Sequence, residues 1–161
     1  MGTQKLSALL WEERELLELL VFKLEEEQLL LTSGKTKWLT HATREVEQVL
    51  ERLRGADLGR AVAVAGLAVE WGTSEDATLR ELVAAAPPGP WTEIFNAHLQ
   101  AMTELTVKIR ELRDINEQFL RTAARSAQET LAGLSPDANT YTASGASANP
   151  MSAARLVDQS I

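Results

Sequence analysis

PWTEIFNAHLQAMTELTVKIRELRDINEQFLRTAARSAQETL, running from Pro90 to Leu131, is the stretch whose reading decides the fold. No glycine or second proline interrupts it. Ile94, His98, Met102, Leu105, Ile109, Leu112, Asn116, Phe119 and Ala123 recur at steps of three and four, a seam averaging about 3.6 residues and therefore one face of an α-helix. At the α-helical rise the segment would run roughly 60 Å. Pro90 suits the first helical turn, where its missing N–H is no loss. Gly133, Ser135 and Pro136 mark the far end.

The chain before this stretch reads the same way. Lys5 to about Leu31 is an amphipathic helix. Leu6, Leu10, Leu17, Val21, Leu24 and Leu31 share one face, and glutamates fill most of the remainder. Ser33 and Gly34 stop it. A second helix is expected from about Thr36, carrying Trp38, Leu39, Ala42, Val46, Val49, Leu50 and Leu53. Gly55 and Gly59 flank Asp57, a good N-cap, so a break or bend is expected there. Ala61 to Trp71 continues with small apolar residues and ends at Gly72. Thr73 with Asp76 resembles a capping box, and Thr78 to Ala86 would be a short helix closed by Pro87, Pro88 and Gly89.

After Leu134 the character changes. Ser135 to Ile161 is dominated by alanine, serine, threonine, asparagine, glycine and proline, with Tyr141 its single aromatic. Such a composition buries too little apolar surface to offset the entropy of ordering. The expected division is a helical domain over 1–134 and a flexible tail over 135–161. The fold class is all-α: an elongated antiparallel helical bundle or coiled-coil hairpin of long helices, with a broken middle helix and a disordered C-terminal tail.

Composition narrows the function. The chain has 161 residues, 45% of them hydrophobic, which is enough for one domain with a sizeable core. A net charge of −7 argues against nucleic acid or an anionic membrane as main partner. The absence of cysteine excludes disulfides, thiol nucleophiles and thiolate metal sites. No run of residues is apolar enough to insert into a membrane. These properties describe a soluble, cytoplasmic, acidic protein with no cofactor and no metal.

No residue pattern supports catalysis. Ser33-Gly34-Lys35-Thr36 resembles the end of a phosphate-binding loop, but Leu29 stands where the motif requires its first glycine, and a helix precedes it. His41 has Glu45 four residues on, a weak exposed pair at most. His98, on the seam, reads as a core or interface histidine. Glu25, Glu26 and Glu27 read as a solvated helix face. What remains is the last half of the long helix. Phe119, Leu120, Ala123, Ala124, Ala127 and Leu131 extend past where the short middle elements can cover them, which leaves a groove for a partner helix.

The order of these pieces resembles the FlgN-type flagellar export chaperones over nearly the whole chain. Leu9-Leu10-Trp11-Glu12-Glu13-Arg14-Glu15-Leu16-Leu17 and Leu24-Glu25-Glu26-Glu27 are similar to the family's opening helix. Gly72 through Leu79-Arg80-Glu81-Leu82 to Pro87-Pro88 is similar to its middle joint. Leu112, Asn116, Phe119 and Leu120 match a "Leu…Asn-x-x-Leu-Leu" signature, with phenylalanine in place of the first leucine of the closing pair. Thr140-Tyr141 with Gly145 resembles a "Tyr-x-x-x-Gly" tail motif.

The resemblance implies a cytoplasmic chaperone of the flagellar type III export system, and no enzyme. Its clients would be the hook-associated (junction) proteins, held by the C-terminal helix through Leu112, Asn116, Phe119, Leu120, Ala123, Ala127 and Leu131 and kept from premature assembly. Tyr141 would help dock the loaded complex on the membrane protein of the export gate. The chain itself would be a monomer or weak homodimer. The competing reading is a self-associating coiled-coil scaffold that buries Leu112 to Leu131 against a second copy and has no client.

Overall fold

A computed structural model describes residues 1–134, and every regular element among them is helical. In chain order these are α1 (Gly2–Thr32), α2 (Leu39–Glu70), α3 (Leu79–Ala84) and α4 (Pro90–Leu134), with one 3-10 turn at Thr36–Trp38. The all-α class is as expected. The expected tail, residues 135–161 with Tyr141, lies outside the described residues. Residues 1–125 form one compact unit, and a second begins at Ser126.

Within the first unit, α1 and α2 form an antiparallel hairpin. Lys23 Nζ lies 2.9 Å from Glu45, and Arg60 Nε lies 2.8 Å from Glu13, so partners move apart in sequence as they leave the turn. Gly34, at φ 70°, makes that turn: its N–H donates to the Leu31 carbonyl and the Lys35 N–H to the Leu30 carbonyl. That double closure is a Schellman C-cap, which explains the phosphate-loop look-alike as a helix end. The helix α4 runs parallel to α1. Ser7 meets His98, Glu25 pairs with Lys108 at 2.9 Å, and Leu24 and Glu27 meet Asn116.

Two apolar clusters hold these helices together. The first joins Leu6 and Leu10 of α1, Val64 and Leu67 of α2, Leu79 and Leu82 of α3, and Phe95 and Met102 of α4. The second joins Leu20, Val21 and Leu24 to Val46 and Val49 and to Ile109 and Leu112. Burial of each such side chain contributes about 1.5–3 kcal/mol against exposure.

Two local expectations change. Of the break or bend expected at Gly55 and Gly59, the break does not occur: α2 is continuous through both. Each glycine costs the helix about 1 kcal/mol. Apolar anchors on both sides, Val46 and Val49 before and Val64 and Leu67 after, belong to the two clusters and hold the segment helical across them. The chain is interrupted later, at Gly72. This residue has φ 72° and closes a second Schellman cap, with the Thr73 N–H on the Ala68 carbonyl at 2.8 Å. Thr73 therefore ends α2 rather than starting the next helix. The capping box belongs to Thr78 and Glu81, whose side chains each bond the other residue's backbone N–H, and it opens α3.

Candidate functional site

The buried face of α4 is set by a strict alternation of three and four: Phe95, His98, Met102, Ile109, Leu112 and Asn116 are buried, with half-buried Leu105 filling the step between Met102 and Ile109. At its start the expected seam is off by one position. Ile94 is exposed, and Phe95 is buried between Trp71 and Trp91. Thereafter sequence and structure agree down to Asn116. The same alternation continues to Phe119 and Ala123, but the cover does not. Every residue from Glu117 to Leu134 is exposed.

The boundary is a polar junction. Asn116 is buried, and its Nδ2 donates to the Leu24 carbonyl oxygen at 3.0 Å and to Glu27 Oε1 at 3.1 Å. Glu27 is also buried, and its other carboxylate oxygen accepts from Thr43 of α2 at 3.2 Å. One carboxylate thus ties α1 to both α2 and α4. Buried polar groups are expensive unless bonded, so this junction fixes the register of α4 where its cover ends. Of Glu25, Glu26 and Glu27, only Glu27 faces inward. The signal for it was its position, filling the steps of three and four between Leu24 and Leu31.

A second polar cluster lies toward the start of α4. The buried His98 ring stands edge-on to Trp11 at 5.0 Å, with Arg14 Nη1 3.3 Å from Nδ1 and Ser7 Oγ 3.4 Å from Nε2. Arg14 also lies over the Trp11 ring at 4.3 Å. Burial, and then the neighbouring Arg14 charge, lowers the His98 pKa from its ordinary value. Across the hairpin, burial raises the Glu13 carboxyl above its usual range despite the Arg60 guanidinium beside it. His41 sits against Trp38, and Glu45 is held by Lys23 rather than by His41.

The candidate binding residues therefore divide. Leu112 lies in the second cluster and Asn116 in the polar junction, both occupied within the chain. Phe119 and Leu120 are 39% and 38% exposed, and Ala123 is exposed beside them. In the second unit, which continues α4 from Ser126, Ala127 is exposed and Leu131 is 67% exposed. Sequence reasoning missed Ile115 and Leu134, both large and exposed. Ile115 precedes Phe119 by four residues and Leu134 follows Leu131 by three, a spacing that could have found them. Beside Phe119, Arg121 pairs with Glu117 on solvent.

Chemically this surface offers apolar area and small residues, suited to receiving another amphipathic segment. No helix among the described residues is long and apolar enough to cross a membrane. The model of the family described as FlgN protein matches residues 1–149. No curated protein and no solved structure matches the chain.

Proposed function

The chain belongs to the FlgN family, the flagellar chaperones, and on that premise we propose that it is a cytoplasmic export chaperone for hook-associated junction proteins. It binds their terminal helical segments through α4, prevents premature assembly and delivers them to the flagellar type III export gate. The observation that carries this reading is the uncovered continuation of the α4 seam: cover ends at Asn116, while the apolar pattern goes on through Phe119, Leu120 and Ala123.

A client helix laid on that face supplies the packing partner that the described residues do not. Burying what is still exposed of Phe119 and Leu120, 39% and 38% of their surfaces, contributes roughly 1 kcal/mol for each side chain. The alanine at 123 lets the helix approach closely; in the second unit, taken by itself, Ala127 and Leu131 offer the same small and apolar chemistry. Leu112 and Asn116 support the site from beneath, since they hold α4 on α1. The client gains a folded neighbour for its own apolar stripe, with no cofactor and no bond chemistry. Tyr141 takes the gate-docking role implied by its tail motif.

The competing scaffold would need Leu112 to Leu131 as its interface. Leu112 and Asn116 are already committed inside one chain, which removes the first part of that seam from use. Amide hydrogen exchange with and without a junction protein's C-terminal segment tests the reading. New protection over residues 117–134 is expected. Protection confined to other helices would overturn it. For the tail, Tyr141→Ala should leave client binding intact and reduce secretion, and undiminished secretion would remove Tyr141 from docking.

A further inference from the structure

The outward face of α2 carries an apolar surface that the reading above does not use. Leu58 and Val62 are each 71% exposed and Val69 is 57% exposed. Gly55 and Gly66 lie on the same face, because residues 55, 58, 62, 66 and 69 step by three and four. Both glycines sit inside a helix, where each costs about 1 kcal/mol relative to alanine. Nothing among the described residues explains them, since a Cβ at either would meet none of their atoms within 4 Å. Open space beside a helical glycine is what a closely approaching second helix requires.

We propose that α2 pairs with α2 of a second copy of this chain, antiparallel, about a two-fold axis at Val62. The sequence is self-complementary in that register. Val62 meets its own counterpart. Leu58 falls opposite Gly66 and Val69 opposite Gly55, so these two large side chains each meet a glycine. Arg54 falls opposite Glu70, which places an ion pair at each end of the contact. An isologous interface demands such reciprocity, and pairing residues four positions further along keeps a Val62–Gly66 contact but loses the Leu58 and Val69 pairings and the charge pairs. Among the described residues Arg54 otherwise holds only the exposed Glu51.

The segment from Arg54 to Glu70 spans about 24 Å of helix, so the interface lies at the small end of specific contacts. The dimer is therefore concentration-dependent. It uses a different helix from the client site and stands independently of the chaperone reading.

Sedimentation equilibrium of the full chain, from micromolar to millimolar concentration, tests it. A reversible dimer is expected. Val62→Arg, which sets two guanidinium groups against each other on the axis, should weaken it at least tenfold with unchanged helix content. Arg54→Glu should weaken it several-fold, and the double exchange Arg54→Glu with Glu70→Arg should restore it. A monomer throughout, whether the face is bare or covered by residues 135–161, overturns the proposal. So does a dimer indifferent to Val62→Arg, and failure of the double exchange to restore association overturns the register.

Discussion

The Asn116 side-chain amide reaches the Glu27 carboxylate at 3.1 Å, bridging α4 and α1 at the point where α4 loses its cover. The same amide bonds the Leu24 carbonyl, and the same carboxylate takes Thr43. A single junction thus sets how far α4 lies on α1, and with it which residues are left free.

Asn116→Leu should therefore act on stability. Among the described residues it removes one of the two side-chain donors to the buried Glu27 and the only side chain bonded to the Leu24 carbonyl, a loss of about 1–3 kcal/mol. Urea unfolding followed by circular dichroism reads it. Unchanged stability would mean that the junction does not hold the register.

The His98 cluster makes stability depend on pH. Folding lowers this pKa, so the unfolded chain binds the proton more readily. The stabilisation is complete above the ordinary histidine pKa and is lost as pH falls through the lower folded value. The melting temperature should fall between pH 7.5 and pH 5.5, and His98→Leu should flatten that dependence. The groups around the ring are Arg14, Ser7 and Trp11, and only Arg14 among them carries charge. An equal slope in the variant would remove His98 as the cause.

Thr78→Ala breaks the box that starts α3. About 1 kcal/mol should be lost, because α3 brings buried Leu79, Leu82 and Val83 into the first cluster. Thr73→Ala, at the position the sequence favoured for the box, should cost less, since it loses only a hydroxyl contact with the Ala68 carbonyl. The reverse order of effects would contradict the assignment.

Much of this was legible in the sequence. Periodicity without internal breakers placed α1 and α4 to within a few residues, and it marked His98 as inward. Local chemistry misled where two solutions compete nearby. Thr73 and Thr78 both precede an acidic residue at three, and Gly72 decides between them by ending α2. The glycines of α2 read as a break or a bend; the break does not occur because of the tertiary anchors on either side, which are invisible in a local window. Asn116 read as a contact for a client. Its partner, Glu27, is 89 residues away, and only the register of α4 on α1 brings the two together. The uncovered face from Phe119 onward was legible, because it follows from helix lengths alone.

Whether that face holds a client is most directly settled by calorimetric titration of the full chain with the C-terminal helical segment of a hook–filament junction protein. The wild-type chain and a Phe119→Arg, Leu120→Arg double variant should be titrated side by side. Both positions are exposed, so the variant should keep its helix content and lose at most about 0.5 kcal/mol of stability. Its affinity should fall at least tenfold, about 1.4 kcal/mol or more. Equal affinity in a variant that folds like the wild type would contradict the α4 site.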